Sequence, residues 1–376
     1  MNKRRPSIPQ KTRLKLWVKS GGRCQYLGCN IRLDIDEIKQ TDINKSYIAH
    51  IYGFREKSAR YDPVLSPKLA IAFSNLMLLC DTCHRRIDHE EKELHTASML
   101  LEMKKKHEER INALTSIKED VKTHIISYTS RIGNFEPNID FDVIRNVIAS
   151  KNLYPIGNPI ELGSFNNPLE DNDNVYWLSA EKSLCANFEK LVTRHFRNGE
   201  LNHFSLFALA PQPLLIRLGT LITDLYTVDV YQKHREPDSW AWREKGDFID
   251  FIIDEPLQKN GLPCLAISLS ASIENDRIYE VMPNQELSIW KIRIENPNNN
   301  FLAHPEILSG FRTKMRILFN RIKLAHGHNT TLKVFPCMPN SAAVELGRIW
   351  MPKADMSLEI YDERNGFKKA LSIKRT

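Results

Sequence analysis

Four of the seven cysteines fall in two pairs, Cys24-x4-Cys29 and Cys80-x2-Cys83. Two pairs of this spacing suit tetrahedral Zn²⁺ held by four thiolates. With every position filled by sulfur, such an ion is structural and cannot activate water. Its task would be to tie an N-terminal knuckle to whatever begins near Cys83. Free thiols are the competing reading, but an odd cysteine count with clustered pairs favours metal over disulfides. The other three, Cys185, Cys264 and Cys337, are scattered among apolar residues and read as buried small hydrophobes.

Any hydrolytic chemistry must then lie beside the zinc. His84 follows Cys83 directly, Asn75 stands five residues before Cys80, and His50 ends the apolar run YIAHI at 47–51. An imidazole that is neutral near physiological pH suits a general base.

The elements that must position these groups are legible in outline. KTRLKLWVK at 11–19 reads as a short basic helix with an apolar stripe of Leu14, Trp17 and Val18, stopped by Gly21-Gly22. Residues 47–51 read as a strand, Leu76–Leu79 as an apolar run into the second cysteine pair, and Thr96–Leu114 as a helix with a charged outer face.

The order His50, Asn75, His84 between two cysteine knuckles resembles the HNH, or ββα-metal, nuclease family. The carrying segments are A-H-I, N-L-M-L-L-C-D-T-C-H-R-R-I-D and L-L-E-M-K-K-K-H-E, within residues 11–115. The resemblance implies a DNA endonuclease in which His50 deprotonates the attacking water. It implies one divalent ion, Mg²⁺, with His84 as a ligand, and Asn75 either ligating that ion or orienting His50. Arg85 and Arg86 are expected to grip flanking phosphates. Many members carry an acidic residue or a second His just before the base; here that position is Ala49. Asp81, Asp88 and His89 are candidate helpers for the ion. A zinc ribbon that binds DNA without cutting is the alternative for this module.

The later sequence contains an internal repeat. FSLFALA (Phe204–Ala210) is strand-like and precedes Pro211, a helix ending near Leu218-Gly219 and a strand Val228–Tyr231. LKVFP (Leu332–Pro336) is strand-like and precedes Pro339, a helix through Leu346-Gly347 and a strand at 358–361. Two βαβ units in similar register imply two Rossmann-like halves. Ligands of such units sit at the carboxyl ends of strands, beside helix N-termini, which points to Gln212, Asn340 and Ser341. Between the copies, Gln232, Lys233 and Arg235 with Trp240 and Trp242 could hold phosphates and stack on bases, with Ser270 as a further candidate. The competing reading makes both tryptophans core residues.

From F-A-L-A-P-Q-P-L-L-I-R-L-G, Y-Q-K-H-R-E-P-D-S-W-A-W and F-P-C-M-P-N-S-A-A-V-E-L-G-R-I-W-M-P-K-A-D-M-S-L-E-I-Y-D, residues 175–376 resemble the SAVED domain, two fused CARF-like halves. HNH followed by SAVED looks like the effector nuclease of CBASS antiphage systems. That implies a cyclic dinucleotide activator, assembly into a homo-oligomer through SAVED domains, and cleavage of double-stranded DNA with little sequence specificity.

Charge and composition agree with this division. Residues 1–120 hold 23 Lys and Arg against 16 Asp and Glu, while residues 121–376 hold 30 of each, so the whole net charge of +7 sits on the N-terminal third. A cationic module attracts a phosphate backbone. The neutral remainder speaks against a restriction-type enzyme whose C-terminal part reads duplex sequence, and the histidine set speaks against a ligand-responsive regulator without catalysis. No run of about 18 apolar residues is present, so no membrane span is expected. The basic Lys3-Arg4-Arg5 is followed by no apolar stretch, so a cytoplasmic protein is expected. The expected fold class is α/β: a nuclease domain at 1–118, a connecting segment at 119–174, and a SAVED domain at 175–376 with pseudo-repeats at about 200–260 and 261–376.

Overall fold

A computed structural model describes residues 7–36, 38–116, 121–163, 174–197, 202–243 and 249–375. Lys3, Arg4 and Arg5 lie outside the described residues. The chain divides into two compact units, Met1–Ile117 and Lys118–Thr376.

In the first unit, helix α1 (Gln10–Ser20) ends where Gly21 takes a left-handed φ of 60°. The Gly22 N–H bonds the Trp17 carbonyl and the Gly21 N–H bonds Val18, the pattern that closes a helix on a glycine. An antiparallel pair follows, β1 (Tyr47–His50) and β2 (Leu76–Leu79), with His50 opposite Leu76. Helix α2 (Asp81–Arg85) starts at Cys80, whose sulfur accepts the Cys83 N–H, and it widens into a further turn at Arg86–Glu90. Helix α3 (Ala97–Thr115) is capped by the Thr96 hydroxyl. It buries Leu100, Met103, Lys104 and His107, one stripe at helical spacing. Two of these are polar and both are satisfied. His107 Nε2 donates to the Ser20 carbonyl at the end of α1, and Lys104 pairs with Glu108 over the Phe73 ring.

The second unit holds one parallel sheet and one mixed sheet. In the first, β3 (Lys122–Thr129), β4 (His203–Leu209) and β5 (Thr227–Tyr231) run parallel in that order. Helix α4 (Asn174–Phe188) precedes β4, and helix α5 (Gln212–Ile222) links β4 to β5. The second sheet comprises β6 (Ile252–Asp254), β7 (Leu262–Ser268), β8 (Leu287–Arg293), β9 (Leu332–Cys337), β10 (Leu358–Glu363) and β11 (Phe367–Ile373), in the order β6-β8-β7-β9-β10-β11. Its inner four strands are parallel and both edges antiparallel. Helix α6 (Pro305–His326) precedes β9, and helix α7 (Asn340–Ile349) links β9 to β10. Thus β3, β4, α5 and β5 correspond to β7, β9, α7 and β10.

Much of the segment 119–174, expected as a connection, instead belongs to the second unit's parallel sheet: β3 pairs along six residues of β4, and the helix Phe141–Ser150 buries Ile144, Val147 and Ile148. The first half therefore begins near residue 122 rather than 200. The strand reads as polar because its polar side chains are buried and paired. Thr123 Oγ1 lies 3.0 Å from Ser205 Oγ and 2.9 Å from His203 Nδ1. Residues 164–173 of that segment lie outside the described set.

Candidate functional site

The four cysteine sulfurs lie within 4.8 Å of one another. Cys29 and Cys80 sulfurs are 3.9 Å apart. Four ligands at the zinc–sulfur bond length around a tetrahedron stand roughly 3.8 Å from each other, so the donor set fits one thiolate-bound divalent ion. The Cys80 N–H points at Cys24 Sγ and the Cys83 N–H at Cys80 Sγ, both at 3.4 Å, which stabilises thiolates. Burial pushes Cys24 up to about 12, and burial also raises Cys83. At Cys29 burial works upward too, but the Ile31 backbone N–H and neighbouring thiols hold it below its usual value. A cation among these sulfurs offsets the cost of crowding them together.

Beside this cluster, β1 delivers His50 and α2 delivers His84 to one cavity of about 300 Å³. His50 is buried and its Nε2 lies 2.8 Å from the Ala70 carbonyl. A carbonyl only accepts, so Nε2 carries the proton in the neutral ring and Nδ1 holds the lone pair. His84 stacks on Tyr47, with centroids 5.1 Å apart and planes 21° apart, and its Nε2 lies 3.4 Å from Asp88 Oδ2. Asp88, four residues on, also lines the cavity. His84 and Asp88 together could hold a divalent ion through nitrogen and oxygen.

Asn75 does not join them. It is 1% exposed, its Oδ1 accepts the Tyr52 N–H at 2.7 Å, and its amide donates to the Tyr52 and Leu69 carbonyls. The expectation that its oxygen ligates the catalytic ion is corrected on this ground: Asn75 pins the loop between β1 and β2, the same loop that supplies the Ala70 carbonyl to His50. Ala49 is buried in the core. Asp81 pairs with Arg85, and His89 is exposed away from the cavity lining. Arg85 and Arg86 do not line the cavity either. Arg86 lies over the Tyr26 ring and near Glu91.

Sequence reasoning missed Arg60. Its guanidinium is nearly buried and bonds the carbonyls of Ile51 and Ile87 and one oxygen of Asp88 at 2.5 Å. It thereby locks the strand end that bears His50 to the turn that bears Asp88. Nothing in the local sequence marks an arginine in a loop for this role.

In the second unit the two halves meet across α5 and α7. Gln212, first in α5, accepts the Met338 N–H, and Asn340, first in α7, donates to the Ala208 carbonyl. Ser270 lies just past β7, where its N–H and that of Leu269 both bond the Cys337 carbonyl. These three stand at carboxyl ends of β4, β9 and β7, as expected for ligand positions. Gln232 and Ser341 are buried and bonded to each other, Ser341 N–H and Oγ both donating to Gln232 Oε1. Trp240 is corrected to a core residue: it is 2% exposed and packs edge-on against Phe207. Trp242 is half-buried against His234. Lys233 pairs with Asp238, and Arg235 is exposed on the loop after β5.

The profile of the family described as "SMODS-associated and fused to various effectors sensor domain", SAVED, matches residues 184–373. The chain belongs to the SAVED family.

Among solved structures, the SAVED chain is similar to the Acinetobacter baumannii Cap4 SAVED/CARF-domain containing receptor. With the cyclic trinucleotide 3'3'3'-cAAA that receptor matches at 14% identity and a TM-score of 0.45, covering 75% of this chain and 61% of that one. With 2'3'3'-cAAA it matches at 13% and 0.43, with the same coverage. The Moraxella osloensis Cap4 receptor matches at 12% and 0.36, covering 74% and 61%. The SAVED chain thus spans less than two thirds of these relatives' length. No curated protein matches it. None of the described helices is long and apolar enough to cross a membrane.

Proposed function

We propose that this protein is an antiphage effector of the CBASS type, a metal-dependent DNA endonuclease released by a cyclic oligonucleotide bound to its SAVED domain. The observation that carries the cutting half is the single cavity lined by His50, His84 and Asp88, directly beside a four-cysteine cluster. In this reading the first unit is an HNH, or ββα-metal, fold whose cysteines hold structural Zn²⁺. His50 Nδ1 takes a proton from water while the water oxygen bonds to phosphorus. The phosphorus–oxygen bond to the leaving group breaks, and that oxygen takes a proton from solvent. The Ala70 carbonyl fixes the ring of His50 so that Nδ1 is the basic nitrogen. His84 and Asp88 would hold one Mg²⁺, which supplies charge stabilisation at the phosphate when bound.

The sensing half rests on the family match. Gln212, Asn340 and Ser270, at strand ends of both halves, are the residues we assign to ligand contact. The Acinetobacter baumannii receptor named above carries cyclic trinucleotides, so ring size is the first variable to test. A nuclease lethal to its own cell needs a silent resting state. A ligand that binds the competent form about 10⁴-fold better moves a 1:99 population to 99:1. Assembly of several copies through SAVED domains is the form we propose for that state.

The test mixes full chain, plasmid and Mg²⁺ with a panel of cyclic di- and trinucleotides. Cleavage only with one of the ligands supports the reading. Cleavage without any ligand points to a restriction-type enzyme, and DNA binding without cleavage to a regulator.

A further inference from the structure

We propose that Arg55 is the residue that grips the phosphate to be cut. This deepens the nuclease reading and rests on it.

Four arginines lie near the His50 and His84 cavity, and three are spent. Arg60 is held by Asp88 and backbone carbonyls, Arg85 by Asp81, and Arg86 lies against Tyr26 and Glu91. Arg55 lines the cavity, is exposed, and its guanidinium has no partner among the described residues. A phosphate entering the cavity therefore meets one uncommitted guanidinium, with the planar fork that matches two phosphate oxygens.

The backbone under Arg55 is fixed although its side chain is not. The Arg55 N–H donates to Ser58 Oγ at 3.1 Å and the Ser58 N–H to the Arg55 carbonyl at 2.8 Å, closing a turn. Gly53 seats that turn. A Cβ there would lie 2.4 Å from the Ala59 carbonyl oxygen, so the loop can fold this tightly only on glycine. Arg60 anchors the far end of the loop to the Ile51 carbonyl. A rigid loop that presents one free cation at a cavity mouth costs little reorganisation when an anion arrives.

The experiment compares Arg55→Ala and Arg55→Lys in the full chain, each also in a His50→Ala background. The first readout is binding to a 30-base-pair duplex over a potassium chloride series, without added Mg²⁺. Losing one phosphate contact lowers the slope of log affinity against log salt by about 0.9, and lysine restores it. The second readout is cleavage with Mg²⁺ and the activating cyclic oligonucleotide. Losing a donor to the transferring phosphoryl group lowers the rate by roughly 10²-fold, and lysine, lacking the fork, recovers only part. Circular dichroism melts of the variants should match the parent, since the side chain makes no contact to lose. An unchanged salt slope for Arg55→Ala overturns the proposal while the nuclease reading stands on wild-type cleavage. If the wild type does not cut but the slope falls, the phosphate contact stands and the nuclease reading fails.

Discussion

Gly219 and Gly347 meet face to face where α5 crosses α7, each in the same place in its own half. A Cβ on Gly219 would lie 2.0 Å from the Val344 carbonyl oxygen, and a Cβ on Gly347 would lie 2.0 Å from the Ile216 carbonyl oxygen. Each glycine is also 2.8 Å from where the other's added Cβ would stand. The two helices thus touch backbone to backbone at a pseudo-two-fold point in the core that both sheets share. Gly219→Ala or Gly347→Ala forces the helices apart, and overpacking of this kind costs about 1–3 kcal/mol, here toward the upper end because the obstructing atoms are backbone. Thermal melts of the full chain should fall by similar amounts for either single variant. The double variant should cost less than the sum, because the first alanine already opens the gap that the second needs.

The histidine chemistry and the asparagine scaffold separate by measurement. His50→Ala should lower ligand-activated plasmid cleavage by roughly 10²- to 10⁴-fold while leaving duplex affinity near the parent's and costing only about 1 kcal/mol of stability for the lost bond to the Ala70 carbonyl. Asn75→Ala should lower stability by about 3 kcal/mol, since three half-buried backbone partners at Tyr52 and Leu69 are left unpaired, and lose cleavage with it. Denaturant unfolding with a cleavage assay distinguishes them; an Asn75→Ala protein of parental stability would contradict its role as a loop pin.

Metal analysis should find one zinc per chain in the purified protein. Cys83→Ser should abolish that zinc. It should also make residues 7–116 sensitive to protease, because a module with so small a core depends on its ion to stay folded. Retained protease resistance at zero zinc would sink the structural role.

A pH dependence is built into α6. Trp290 Nε1–H donates to His326 Nε2 at 3.0 Å, so the histidine must be neutral to accept. Burial, and then the nearby Lys259, hold its pKa below 6.5. The unfolded chain therefore binds the proton more readily than the folded one. The stability from this contact is full above about 6.5 and is lost as pH falls toward the lower folded value. Melting temperature should drop from pH 7.5 to pH 5 with a shift in the Trp290 fluorescence. His326→Gln, whose amide oxygen can still accept from the indole, should remove part of that pH dependence.

Much of the candidate site is legible in the sequence. Cysteine spacing announced a four-sulfur cluster because ligand geometry forces short, repeated intervals. Helical periodicity announced α3, and the P-x7-G spacing of the two repeats announced α5 and α7; for α1 the helix was legible but its face was not, since Leu14 and Val18 of the expected stripe are exposed and Leu16 is the buried leucine. Arg60 and Arg55 carried no signal, since a loop arginine has the same sequence appearance whether it is buried, paired or free. Trp240 was misleading for a related reason: tryptophan serves cores and stacking platforms alike, and only its contact with Phe207 separates them.

By itself, then, the sequence determined the chemical inventory: which donors exist, in what order, on which kinds of element, and that the chain joins a cationic module to a neutral two-fold repeat. Local rules suffice for that, because spacing and periodicity are properties of neighbours along the chain. Tertiary structure alone decided which of those groups share a space. It committed Asn75 to the backbone, gave His50 its basic nitrogen through Ala70, and drew the segment around β3 into the sheet of β4 and β5. It also made a pair of ordinary glycines, Gly219 and Gly347, the contact on which the two halves close. Such choices depend on burial and on partners far away in sequence, and no local pattern encodes them.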